Sequence, residues 1–330
     1  MAYISEIITN FASVMNVDVR QRGMELKAHL AILLANVAWG VMSPFTKDIL
    51  LSGAISGFAL SGIRILGGAL LFLLFSFLFP ESMETRQKIE KRDWFKIFLC
   101  SVLMISANQG LFIIGIGFTS PIDSSVMSSL TPILTMILAA IILRFPITRL
   151  KGLGVGIGLA GALLLVSGSG RAGQADNPML GNSLCFSAQL CAAIYYVVFR
   201  DVIMKYSPFT LMKWMFFLSA VTYVPFCLYD ILQINFGKLP SYIWLELAYI
   251  ICFATFLAYL CIPFSQKYLK PTMVSMYNYM QPVFAAVIAI LLGVGEFGII
   301  KCIATAMIFA GVYFVNLSST KRANDSRLRG

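Results

Sequence analysis

The chain has 330 residues, 59% of them hydrophobic and only 12% charged, with a mean hydropathy of +0.84. Soluble domains carry about 25% charged residues to cover a water-facing surface, so this composition excludes one and points to a polytopic α-helical membrane protein. The net charge of +10 does not indicate a nucleic-acid partner, because the basic residues form short runs between apolar spans.

In chain order, residues 1–28 read as a cytoplasmic tail without a cleavable signal. Within it, Ile7, Ile8, Phe11 and Val14 suit a short interfacial helix. Apolar runs bounded by charge or by Pro/Gly clusters then predict ten membrane spans. The first five are Leu30–Phe45, Ile55–Phe79, Trp94–Gly117, Ile122–Leu143 and Gly152–Val166. The second five are Leu180–Phe199, Phe209–Leu232, Ile243–Phe264, Thr272–Val294 and Ile299–Leu317. They fall into two units, 29–168 and 179–317, joined by an external loop at 169–178 and followed by a basic cytoplasmic tail at 318–330. Lys and Arg beside alternate span ends divide 18 against 4, which predicts cytoplasmic termini and a multi-pass protein of the inner (plasma) membrane. The seven cysteines all lie in apolar spans without a C-x-x-C pair, and they read as buried small hydrophobes.

Laid on itself at an offset of 150, the chain aligns Pro121 with Pro271, Pro132 with Pro282, Ser125 with Ser275 and Ala160-Gly161 with Ala310-Gly311. At an offset of 153, Asn36 meets Gln189 and Lys47-Asp48 meets Arg200-Asp201. Five spans per copy is an odd number, so the second copy enters the membrane inverted. Two inverted halves can open a central site to either side in turn, which is the geometry of alternating access.

The run from Asn108 through Gly110, Gly117 and Pro121 to Leu130-Thr-Pro132 resembles the EamA repeat of the drug/metabolite transporter superfamily. So does the run from Pro282 to Glu296 with its following Ala310-Gly311. The resemblance spans about residues 30–317 and implies a ten-helix inverted-repeat carrier of small organic solutes, often an exporter. The first copy departs from the pattern, having Arg144-Phe-Pro146 where the family often places a glutamate matching Glu296.

Polar residues inside spans usually face the bundle interior, so they are candidates for a solute path. These are Asn36 and Trp39 in the first span, Asn108 and Gln109 in the third, Ser125 and Ser129 in the fourth, Tyr195 in the sixth, Tyr259 in the eighth, and Tyr277 and Gln281 in the ninth. Interhelical hydrogen-bonding glue is the alternative for each, of equal weight for the serines of the fourth span, whereas Asn36, Gln109, Tyr259 and Gln281 cluster by repeat symmetry and favour the cavity. Arg64 is the deepest charge, and pairing with a helix-end carbonyl or carboxylate is the favoured reading. Pro132 and Pro282, as repeat mates, are the hinge candidates. Asp123 beside Pro121 reads as a helix cap.

Gly156 to Gly161 matches the dinucleotide fingerprint, but it lies in an apolar span and follows no strand, so it reads as small-residue packing together with Gly152 and Gly154. The single histidine, His29, leaves no metal cluster and no Ser–His pair. The expectation is a secondary, non-ATP transporter of a small metabolite such as an amino acid, with no cofactor and no nucleic-acid partner, acting as a monomer in the bilayer. A facilitative channel and a membrane-embedded enzyme are the alternatives. The sequence names no coupling ion.

Overall fold

In a computed structural model of the chain, the described residues are 2–78, 87–119, 124, 127–128, 130–167, 177–281, 283–284 and 299–327. Among them every regular element is helical: α1 (Ala2–Leu51), α2 (Gly57–Leu78), α3 (Lys91–Phe118), α4 (Thr131–Ile142) and α5 (Arg149–Ser167). After these come α6 (Pro178–Val198), α7 (Pro208–Leu232), α8 (Ser241–Tyr268), α9 (Pro271–Met276) and α10 (Ile299–Arg327). Six segments among the described residues are long and apolar enough to cross a membrane: Gly23–Leu51, α2, α3, Met179–Val198, α7 and α8.

Local sequence explains the helix ends. Gly53 takes a left-handed φ of 67° just past α1, the conformation that closes a helix without a Cβ penalty. Asn177 and Ser207 cap α6 and α7 by accepting from the Leu180 and Thr210 amides at 3.1 Å, each followed by a proline whose missing N–H costs nothing there. Two expectations are corrected. The tail at 1–28 is no separate short helix, because α1 runs unbroken from Ala2 with no proline before Pro44. Likewise α10 continues beyond residue 317 into the basic tail, where no proline stops it.

The helices pack in pairs that cross between the two halves. α3 lies on α6 and α1 on α8, α2 packs against α7, and α5 runs along α10. Phe72 of α2 stacks on Phe216 of α7 at 5.2 Å and touches Phe256 of α8 at 4.6 Å, anchoring that corner of the core.

The α5–α10 seam is held by backbone contact. A Cβ on Gly154 would fall 2.8 Å from the Gly311 carbonyl, and one on Gly311 would fall 2.6 Å from the Gly154 carbonyl. A Cβ on Gly161 would fall 2.8 Å from the Ala304 carbonyl. Gly152 and Gly156 have no such neighbour, so only part of the glycine run serves close packing.

One end of the bundle gathers the basic segments. Lys205 pairs with Glu90 and Asp93 at 2.6 Å, and the Tyr206 hydroxyl donates to Asp93 at 2.7 Å. Lys96 pairs with Asp201, and Arg200 donates to the carbonyls of Gln266 and Leu269. The cysteines are all free thiols, but Cys252 and Cys302 are exposed on the outer surface, which corrects the reading of all seven as buried.

Candidate functional site: a polar cavity between the halves

Two of the helices change register beside the cavity. α3 is wound as a π-helix over Ser101–Ala107, and α8 over Cys252–Leu257. Neither stretch contains a glycine or proline, so packing and not a helix breaker sets the widened turn. π-turns of this kind carry carbonyls out of the regular ladder and recur at functional sites. Here the Ala254 carbonyl accepts from Trp39 Nε1 at 2.9 Å and from Arg64 Nη2 at 3.5 Å. In α3, the Ser101 carbonyl accepts from the Ser219 hydroxyl at 3.0 Å, and Ser106 donates to Ser219 at 3.1 Å.

Between these helices lies a cavity of about 540 Å³, including its open mouth. α1 contributes Trp39, Met42 and Ser43, and α2 contributes Arg64. Met104, Asn108, Gln109 and Phe112 come from α3, and Gln189, Ala192 and Tyr196 from α6. Tyr259 of α8, Asn278 and Gln281 after α9, and Ser128 before α4 complete the wall. A wall that alternates aromatic and methionine side chains with amides, hydroxyls and one guanidinium suits a small organic ligand with both polar and apolar parts.

Hydrogen bonds across the wall are paired between the halves. Gln281 Nε2 donates to Asn36 Oδ1 at 2.9 Å, joining the region after α9 to α1. The Thr131 hydroxyl meets Gln189 Oε1 at 2.8 Å, joining α4 to α6. Asn108 Nδ2 donates to the Ala188 carbonyl at 2.8 Å, which fixes α3 on α6. Gln109 is 3% exposed and faces Tyr259, yet neither polar atom of its carboxamide is within hydrogen-bond geometry of a partner. Such a buried amide has bonding capacity left for a ligand.

Arg64 is the one charged side chain among the described lining residues, and it is 2% exposed. Its Nε donates to Thr255 Oγ1 at 3.1 Å, and the Ala254 carbonyl is its other hydrogen-bond partner. Among the described residues no carboxylate lies within salt-bridge distance of it. The bond to the Ala254 carbonyl is of the structural kind expected, and the side chain is also among those that line the cavity.

The structure brings together Asn36, Trp39, Asn108, Gln109, Tyr259, Gln281 and Arg64, with Asn36 at the wall through its bond to Gln281. Two candidates are corrected. Tyr195 is fully buried away from the cavity, because a helix turns successive residues about 100° apart and the adjacent Tyr196 takes the inner face. Tyr277 instead accepts or donates with His29 Nδ1 at 2.8 Å, while Asn278 lines the cavity. Ser125, Ser129, Pro282, Asp123 and Glu296 lie outside the described residues.

Pro132 stands at the second residue of α4, after a turn at Leu130 that separates it from the helical residues 127–128. The Thr131 hydroxyl beside it is shared between the Ser128 carbonyl and Gln189 Oε1, each at 2.8 Å. Gln189 was missed as a site residue, though the repeat offset that aligns it with Asn36 was enough to find it. Among the described residues no group of three or more His, Cys, Asp or Glu is placed to hold a metal.

Comparison with known proteins agrees with this architecture. The profile of the EamA-like transporter family matches residues 26–167 and 179–317. The Bacillus subtilis (strain 168) protein named "Uncharacterized transporter YyaM" is 24% identical over 247 residues, covering 74% of this chain and 80% of its own length. An "Uncharacterized transporter" of Archaeoglobus fulgidus is 26% identical over 201 residues, covering 61% of this chain and 67% of its own. A crystal structure of 17% identity superposes with a TM-score of 0.72 over 89% of this chain and 98% of the other, a likeness of fold alone.

Proposed function

The chain belongs to the EamA-like transporter family, and from that premise we propose that it is a secondary, non-ATP carrier of a small organic metabolite. It works by alternating access in the plasma membrane, with both termini cytoplasmic. Ten spans form two inverted five-helix repeats, and the carrier operates as a monomer and as an exporter. The cargo is small and amphipathic, amino acids being one such class, held by aromatic faces and neutral amides in the cavity.

One observation carries this reading: the cavity is closed by two hydrogen bonds that exchange places between the halves. Gln281 with Asn36 and Thr131 with Gln189 are the same pair under offsets of 150 and 153. The pairing of α1 with α8 and α6 with α3 follows the same exchange. A path whose two walls are built alike can be opened from either side at similar cost, which a carrier needs.

The test is counterflow in proteoliposomes containing the purified chain. Saturable, trans-stimulated uptake of a metabolite supports the carrier, and flux without saturation points to a channel. Gln109→Ala and Tyr259→Ala are expected to lower transport at unchanged expression, and normal transport in both would remove the cavity from the path.

A further inference from the structure

We propose that the cavity selects a small monocarboxylate, whose carboxylate pairs with Arg64 and whose apolar body lies against Trp39, Tyr196 and Tyr259. This rests on the carrier reading and narrows its cargo to one charge class. A guanidinium has five N–H donors in a planar fork. Among the described residues the two hydrogen bonds of Arg64 go to a hydroxyl and a carbonyl of α8, both neutral, and neither offsets its charge. The remaining donors belong to a side chain that lines the cavity. A buried cation without an anion is costly, and a cavity that presents one invites an anion of matching geometry.

The charge count of the wall sets the class. Among the described lining residues Arg64 is the single charge, so one carboxylate neutralises the site, whereas a multiply charged phosphate would leave excess negative charge in the cavity. No acidic side chain among those residues is present to meet an ammonium, so a plain acid is favoured over the zwitterionic amino acid with the same body. The arrangement of Arg64 is fixed before any ligand arrives. Trp39 holds the same Ala254 carbonyl, and the Trp39 ring stands edge-on to Tyr259 at 5.8 Å, so the aromatic faces and the guanidinium are set by one turn of α8.

The purified full-length chain is titrated with 3-phenylpropionate and 4-methylpentanoate, with the amide of each, and with phenylalanine and leucine, while its thermal unfolding is followed. At least one of the acids is expected to raise Tm saturably, with its amide and its amino acid at least about tenfold weaker in apparent Kd. Arg64→Gln is expected to abolish the preference for acid over amide, and Arg64→Lys to keep part of it. If Arg64→Gln does not fold, the acid–amide comparison in the unaltered chain decides the matter alone. Equal stabilisation by acid and amide, or none by any acid, overturns the pairing with Arg64. Equal stabilisation by acid and amino acid overturns the monoanion assignment. Saturable counterflow of some other solute alongside either of those results leaves the carrier standing and removes only this inference. Arg64-dependent acid binding without saturable counterflow of any solute keeps the anion site and removes the carrier.

Discussion

The two π-wound turns stand at matching places in the two halves, yet they are dressed differently. The turn in α3 receives Ser219 from α7, and its polar groups are closed by neutral partners: Ser106 donates to the Ser219 hydroxyl, Ser219 to the Ser101 carbonyl, and the Ser101 hydroxyl to the Phe98 carbonyl. The turn in α8 receives Arg64 from α2, and there a full charge is held by neutral acceptors beside an open cavity. The backbone device is shared and the chemistry is not. The likeness of the two turns lies in their winding, and the difference lies in the side chain each receives, a serine in one and Arg64 in the other.

The largest effect is expected where that difference is erased. Arg64→Met should lower counterflow by about a hundredfold, the scale seen when one partner of a buried charge pair is removed. Next comes Trp39→Phe, which keeps the ring but removes the Nε1 donor to the Ala254 carbonyl. Its expected cost is about 1 kcal/mol in the unfolding free energy and about tenfold in transport, measured by denaturant titration and counterflow.

The matching change on the quiet side, Ser219→Ala, should cost about 0.5–1 kcal/mol of stability and leave transport within about twofold. A large transport defect in Ser219→Ala would mean that both turns act on the cargo, and the comparison would fail.

The smallest effect belongs to charge that stays wet. Lys205 at the basic end holds the Glu90 carboxyl below the usual carboxylate range by hydrogen bonding, while Lys205 itself is held above the usual lysine range by Asp93 and Glu90. The Glu90 pairing thus contributes fully above the ordinary carboxylate pKa and is lost as pH falls through the lowered one. Lys205→Met should lower Tm by a few degrees at neutral pH, and the gap from the unaltered chain should close in acid. A gap that widens in acid would show that the lysine acts through something other than these carboxylates.

The membrane class, the helix-bearing segments and much of the cavity wall were legible in the sequence because polar residues in spans are few and costly. Asn36, Gln109, Tyr259 and Gln281 stand out on that ground alone. Rotational phase was legible in α6 only by way of the repeat: Tyr196 stands seven residues, two turns, from Gln189 and so shares its face, whereas Tyr195 is turned about 100° away. The π turns were also hidden. Ser101–Ala107 and Cys252–Leu257 carry no glycine or proline, and their winding depends on neighbours far along the chain, such as Ser219 and Arg64.

The glycine seam between α5 and α10 has a consequence of its own. Gly154 against Gly311 and Gly161 against Ala304 hold the seam at two points seven residues apart on α5, about 10.5 Å along the axis. Two fixed points on a rod define its direction, so the helices can neither slide nor pivot against each other without driving one backbone into the other. Like the self-complementary face of a two-fold dimer, the seam meets itself: Gly154 and Ala304, and Gly161 and Gly311, are mates at the offset of 150. Any motion of the cavity wall that keeps these contacts must be carried by the other helices, among them those that hold Arg64, Trp39 and Gln189.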